Sequence, residues 1–374
     1  MTAGIVNPPV WHASTILFDD LAGLEAARRN PDAGLFYGRR GTPTSWALEA
    51  ALTELEPGAA GTKLYPSGVA AIATAVLTVV KAGDHVLMVD TAYEPSRDFA
   101  NRTLTPLGIE TSFYDPALGA DIAALVRPNT RLILLESPGS LSFEVQDVPA
   151  IVAVAQAHGI ATVMDNTWAT PLLFSPIAHG VDFSMQALTK YVAGHSDVMM
   201  GSVTTTSKWL GKLTSASYRL GYCVAPDDAY LALRGLRTLD LRLRQQGASA
   251  LAVAQWLTTH AQVDRVLHPA LPSHPGHALW ARDFTGASGL FGFTLKQGVR
   301  KHTAALIDHL EHFGIGFSWG GYESLILPVE LDGIRTASTI AYPRSIIRLS
   351  IGLEDLDDLI ADLSTGLERY ATQF

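Results

Sequence analysis

The feature that most constrains this chain is an alternation of two patterns. Short runs that are apolar almost throughout, closed by Gly, Pro, Asp or Asn, alternate with stretches of helical spacing. DHVLMVD, IETSFYD, RLILLES, IATVMDN and DFSMQAL read as strands. TKLYP leads into GVAAIATAVLTVVK, which reads as a helix, and VPAIVAVAQAHG reads as another. Strands and helices taken in turn predict an α/β protein with a mostly parallel sheet covered by helices. RLILL has no polar alternation, which fits a strand buried on both faces.

The pattern has clear edges. The first forty or so residues are irregular, with Pro8, Pro9 and Pro31. SWALEAALTELE then opens the helical signal, and Pro57-Gly58 stops it. Near residue 226 the rhythm changes again. APDDAYLALRGLRTLDLRLRQQGASALAVAQWLTTH reads as long helical material. A smaller α+β unit follows, with strands near VDRVLHP, GLFGFTL and IIRLSIGL and helices near HTAALIDHLEHFG and DLDDLIADLSTGLERY. The expected divisions are an N-terminal arm over 1–42, a main domain over 43–226 and a C-terminal α+β domain over 227–374.

Composition removes several classes of function. Lys and Arg number 27 against 36 Asp and Glu, a net charge of −9, so the basic footprint of a nucleic-acid binder is missing. Cys223 is the one cysteine, which rules out a disulfide framework and a Cys-rich zinc site. The apolar run from Val69 to Val80 is too short to span a bilayer and suits a buried helix. MTAGIVNPPVWHAS shows no charged segment followed by an apolar one, so no signal peptide is expected and a cytoplasmic location is. There is no G-x-x-x-x-G-K-[ST], no G-x-G-x-x-G after a first strand, no H-E-x-x-H and no G-x-S-x-G. His268, His274 and His277 fall in a Pro-rich stretch without nearby carboxylates and read as a solvated loop rather than a metal site. His309 and His312 read as helix-surface residues.

One segment stands out. In MQALTKYVAGHSDVMMGSV, Lys190 ends an apolar strand and precedes a glycine-bearing loop. Such a lysine is ordinarily solvated. Buried beside other cations, it loses its proton and becomes a nucleophile. Asp165, in VMDNTW, also stands at a strand's C-terminal end, where ligands collect in open α/β sheets. A lysine that bonds an aldehyde, with an acid that pairs a ring nitrogen, is the arrangement that pyridoxal phosphate needs.

Further motifs point the same way. FYGRRGTPTSWALE, LYPSGVAAIA, DHVLMVDTAYEPSRDF, LLESPGS, DNTWATP, TKYVAGHSDVMMG, LRTLDLRLRQ, HPALPSHPGH, RDFTGASGLFGF, SWGGYESLI and IRLSIGLEDLDDLIADL run in this order through nearly the whole chain. In them the sequence resembles the Cys/Met-metabolism family of pyridoxal-phosphate-dependent enzymes. The resemblance implies a pyridoxal-phosphate transferase-like fold of the aspartate-aminotransferase type. It implies a carbon–sulfur lyase that splits L-cystathionine, or a related Cys conjugate, by β-elimination. The products would be homocysteine, pyruvate and ammonia. The alternative within the family is γ-elimination or γ-replacement on another side-chain-substituted amino acid. A non-catalytic regulator would have no reason to keep the full set of motif residues.

The resemblance also implies roles. Lys190 matches the lysine that bonds the cofactor aldehyde, and Asp165 the acid that pairs the pyridine nitrogen. Tyr93 matches the tyrosine that stacks on the ring and assists proton transfer. Gly68 and Val69 would aim backbone N–H groups at the phosphate from a helix N-terminus, and Thr189 would add a hydroxyl. Ala187 stands where many relatives have a serine, which would remove one phosphate hydrogen bond. Tyr37 and Arg39 match a pair that reaches the phosphate of the neighbouring subunit, so a homo-oligomer is implied, a dimer as the minimum and a tetramer as the usual state. Arg348 matches the arginine that grips the substrate carboxylate. Ser318 and Trp319 would line the substrate side, Tyr218 the entrance, and Asn166 and Trp168 would pack near the cofactor. Ser215 and Phe317 depart from the glutamate and tyrosine expected there, and the arm before Gly4 is short. No metal is implied.

Overall fold

The computed structural model describes residues 4–331, 333–338 and 345–374. Seven strands form the larger sheet: β1 (Gly61–Tyr65), β2 (His85–Val89), β3 (Glu110–Tyr114), β4 (Thr130–Glu136), β5 (Ala161–Asp165), β6 (Phe183–Gln186) and β7 (Gly201–Thr205). Their order is β1-β7-β6-β5-β4-β2-β3. β3, β2, β4, β5 and β6 run parallel, and β7 is antiparallel to both its neighbours. Every residue of β2, β5 and β7 is buried, as expected for strands covered on both faces.

The helix Gly68–Val79 lies along β5, β6 and β7 and buries Ala71, Ile72, Ala75 and Val76 completely or nearly so. Ser67 caps it by accepting from the Ala70 N–H at 3.1 Å, which satisfies one of the otherwise free donors of the first turn. The helix Val148–Ala157, begun by the Asp147 cap, packs against β5.

Long helical material follows as expected, but in two pieces. Pro226–Leu236 and Leu239–Thr259 are separated at Arg237 and Thr238. The second sheet then forms from β8 (Val263–Leu267), β9 (Leu290–Leu295), β10 (Phe313–Ile315), β11 (Ser324–Val329) and β12 (Ile346–Ser350), in the order β10-β11-β12-β9-β8. It is antiparallel except for the β10–β11 pair. The terminal helix Leu356–Ala371 and the helix Leu239–Thr259 cover its apolar face, with Leu257, Phe291, Phe293, Leu349, Leu359 and Leu363 in one cluster.

Two sequence expectations need correction here. His268 and His274 are buried, at 0% and 5% exposure, rather than solvated. Each ring Nδ1 accepts a backbone N–H two residues later, from Ala270 at 3.2 Å and Gly276 at 3.0 Å, so the Pro-rich turns fold around the rings. His309 and His312 are not on a helix, because the helix Thr303–Ile307 ends before them and His309 adopts a left-handed conformation with φ of 67°. Among the described residues no group of His, Cys, Asp and Glu could hold a metal ion, and no helix is long and apolar enough to cross a membrane.

Candidate active site

The strands of the parallel sheet carry charged residues at their C-terminal ends. Asp165 closes β5 and Glu136 closes β4, paired in register with it. Burial pushes the Asp165 carboxyl above the usual carboxylate range, and the Thr167 donors and nearby Lys190 pull it back. Its Oδ1 accepts from the Thr167 N–H at 3.0 Å and from the Thr167 hydroxyl. Among the described residues this carboxyl forms no ion pair, and a protonated ring nitrogen would provide one.

Lys190 follows β6 and is half-buried. Its Nζ donates to Ser318 Oγ at 2.6 Å and sits 5.2 Å from the centre of the Trp319 ring. Burial first, then the Arg348 charge, lowers its pKa to about 8, while Asp165 works the other way. The turn at 318–320 closes on the Lys190 backbone: a Cβ on Gly320, whose φ is +82°, would lie 3.2 Å from the Lys190 carbonyl carbon. That approach requires glycine. A second tie runs from the Ser196 hydroxyl to Glu323.

Arg348 lies on β12 with its side chain buried. Its Nη2 donates to the Ser318 carbonyl at 2.9 Å, but its buried Nε has no hydrogen-bond partner among the described residues. An unpaired buried guanidinium donor is costly, and an anion would satisfy it. Burial lowers its pKa. Tyr93 is 46% exposed. Its backbone is fixed by the N–H that donates to Glu136 Oε2 at 2.7 Å.

Gly68 and Val69 open the helix that follows β1. A Cβ on Gly68 would come within 2.8 Å of Ala187 Cβ, so the glycine lets the helix end approach the strand that leads to Lys190. Thr189 is nearby, with its hydroxyl bonded to the Met200 backbone: it accepts from the N–H at 2.9 Å and donates to the carbonyl at 3.2 Å. Asn166 and Trp168 are buried and bond to the carbonyls of Phe174 and Leu290, which fixes the DNTW loop.

Three expected residues form a separate group. Arg39 Nη1 donates to the Tyr218 carbonyl at 3.0 Å, Arg40 stacks 4.1 Å from the centre of the Tyr218 ring, and the Tyr218 hydroxyl donates to Asp32 at 2.9 Å. Tyr37 and Arg39 also line a cleft of about 320 Å³ with Trp11, Cys223 and Pro226. Ser215 is engaged by Arg219 on the surface, and Phe317 is almost fully exposed beside Ser318. Glu136 was not singled out from sequence, although it carries the same signal as Asp165, a carboxyl that ends an apolar strand.

A cationic, partly desolvated lysine, a buried acid, a glycine-opened helix start and an arginine with a spare donor together fit a cofactor that carries an aldehyde, a ring nitrogen and a phosphate. Such a set on a mostly parallel sheet defines the pyridoxal-phosphate enzymes of the transferase-like fold. The chain belongs to the Cys/Met metabolism PLP-dependent enzyme family, whose model matches residues 1–368. It is 48% identical over 375 residues to a cystathionine beta-lyase of Escherichia coli K12, covering 98% of this chain and 95% of that one. It is 47% identical to a cystathionine beta-lyase of Salmonella typhimurium, with 98% and 95% covered. Among solved structures it matches a cystathionine gamma synthase from Xanthomonas oryzae pv. oryzae at 33% identity and a TM-score of 0.91, covering 99% of this chain and 95% of that one.

Proposed function

We propose that this chain is a pyridoxal-phosphate-dependent carbon–sulfur lyase that cleaves L-cystathionine, or a related Cys conjugate, by β-elimination. The observation that carries the reading is the placement of the Lys190 amine, held by Ser318 between Asp165 and Arg348. The full-length likeness to cystathionine beta-lyases supports the substrate class.

Lys190, Asp165, Tyr93, Gly68, Val69 and Thr189 would hold the cofactor. When bound, the cofactor supplies an aldehyde that takes the substrate amine and a ring that withdraws electrons from Cα. Arg348 would grip the substrate α-carboxylate with its spare donors. The Lys190 Nζ, in the neutral form that a pKa lowered to about 8 makes accessible, would take the Cα proton, and it or the Tyr93 hydroxyl would return a proton to the departing sulfur. Asp165 would keep its charge toward the ring nitrogen, and the Tyr93 ring would pack against the cofactor ring. With one water consumed, the products balance as homocysteine, pyruvate and ammonia.

We place Tyr37 and Arg39 in the service of a neighbouring subunit's phosphate, which makes the working unit a homo-oligomer. The exposed Arg39 guanidinium and the cleft beside it support this. We also place the protein in the cytoplasm.

The test is product identification after incubation of the holoenzyme with L-cystathionine. Pyruvate with homocysteine is expected. Production of 2-oxobutyrate with cysteine would overturn the reading in favour of γ-elimination.

A further inference from the structure

Asp90 follows β2 at the same edge of the sheet as Asp165 and Glu136, and it is completely buried. Among the described residues its carboxylate bonds to none of Lys190, Asp165 and Tyr93. Its carboxylate instead receives a run of consecutive donors from the connection between β11 and β12. The N–H of Thr336 lies 3.0 Å from both carboxylate oxygens, and the N–H groups of Ala337 and Ser338 lie 3.0 Å from Oδ2. The hydroxyls of Thr336 and Ser338 add bonds of 3.0 and 2.9 Å. Arg97 completes the ring of donors: its Nη1 donates to Oδ1 at 2.9 Å and to the Asp90 carbonyl at 3.0 Å, and its Nη2 donates to Thr336 Oγ1 at 3.3 Å. The guanidinium of Arg97 also lies over the Phe113 ring at 3.8 Å. One residue earlier, Arg335 pairs with Glu144 at 3.2 Å and with the Ser142 hydroxyl.

This arrangement joins the two walls of the site. Asp90 and Arg97 flank Tyr93 in the segment that leaves β2. The clasped residues belong to the connection that leads into β12, which carries Arg348. A carboxylate bound by three successive backbone N–H groups is held as an anion in a preformed cradle. Burial alone would push the Asp90 pKa up, but these donors hold it down at about 2. Solvation or a structural role for each half alone would not need the two halves to share one buried charge.

We propose that Asp90, with Arg97, is a positioning residue that clasps residues 336–338 and so sets the distance between the substrate-carboxylate side of the site and the cofactor side. The inference rests on the lyase reading for its kinetic readout and on geometry for its structural one. Release of the clasp acts on Arg348 and leaves Lys190 and Asp165 in place, so it weakens substrate binding and spares cofactor binding.

Two variants test this in the holoenzyme. Asp90→Asn removes the charge and turns one acceptor into a donor facing other donors. Thr336→Val with Ser338→Ala removes only hydroxyls on the other side. Each should raise the half-saturating concentration of L-cystathionine, by at least about five-fold for Asp90→Asn, with kcat changed by less than about two-fold. The visible absorbance band of the bound cofactor should not move. Amide hydrogen exchange without substrate should be slow at 336–338 in the wild type and faster in Asp90→Asn. An unchanged half-saturating concentration, or exchange at 336–338 that does not respond to Asp90→Asn, overturns the proposal. Where Asp90→Asn does not fold, the hydroxyl variant decides by the same kinetic criterion. A wild-type enzyme that releases no pyruvate from cystathionine defeats the lyase reading alone, and the exchange result still decides the clasp.

Discussion

Lys190 and Ser318 meet across the two halves of the molecule. The amine follows β6 of the large sheet, the hydroxyl belongs to a turn of the C-terminal unit, and 2.6 Å separates them. Ser318 holds a left-handed backbone with φ of 77°, and its carbonyl receives Arg348 at 2.9 Å, so one residue touches both cations. A left-handed non-glycine residue persists only where its surroundings hold it.

Removing the Ser318 hydroxyl therefore costs orientation of the amine and not the fold. A single hydrogen bond of this sort contributes about 1 kcal/mol, so Ser318→Ala should lower kcat/KM by about five-fold. Ser318→Gly loses the same hydroxyl but suits the backbone better. Its thermal midpoint should exceed that of Ser318→Ala while activity is equally low. Equal activity in Ser318→Ala and wild type would show that the bond does not orient Lys190.

The lowered Lys190 pKa sets a pH dependence for the cofactor-free protein. Only the neutral amine attacks an aldehyde, and burial with Arg348 brings the transition to about 8 instead of 10.5. The rate of cofactor capture, followed by absorbance, should climb as pH rises through about 8 and level off above it. Arg348→Gln removes a neighbouring positive charge, so the midpoint should move upward. A wild-type midpoint near that of free lysine would refute the arrangement.

Parts of this site are legible in the sequence for a physical reason. A charged residue at the end of an apolar strand has few places to go, and Lys190 and Asp165 stand out by that rule, whereas the role given to Arg348 comes from the family resemblance. The mostly parallel sheet was readable because strands such as β4 carry no polar alternation. Other parts depend on distant partners. Nothing near Asp90 in the chain indicates that its donors come from Thr336, Ala337 and Ser338, and the pairing of Lys190 with Ser318 is equally remote. His268 and His274 were misread because their turns fold around the rings through local bonds that composition does not reveal. The roles of Tyr37 and Arg39 came from the family resemblance, since a charge pair in an irregular loop has no distinguishing pattern.

Arg348→Lys separates charge from shape. Lysine keeps the positive charge but has no planar fork, and it cannot serve the Ser318 carbonyl and a carboxylate together in the same geometry. The loss of one charge-assisted bond, of about 1.5–3 kcal/mol, should raise KM for cystathionine by about 10- to 100-fold. The cofactor absorbance band should be unchanged. A KM close to that of the wild type would remove Arg348 from substrate recognition.

The last prediction concerns stability and lies away from the chemistry. Glu56 is 1% exposed, and its carboxyl accepts from the Ile177 N–H at 3.1 Å and from the Ser184 hydroxyl at 3.0 Å. Burial outweighs those two bonds and raises its pKa from 4.5 to about 7. The folded protein therefore holds a proton that the unfolded chain releases between these values. Stability from this group is complete below pH 4.5, declines as pH rises, and is lost above about 7. The shift corresponds to roughly 3 kcal/mol. Glu56→Gln keeps the shape and has no proton to lose. The holoenzyme variant should match wild type in thermal midpoint near pH 4.5 and exceed it at pH 8. Midpoints that run parallel across this range would show that Glu56 is ionised at no cost in the folded protein.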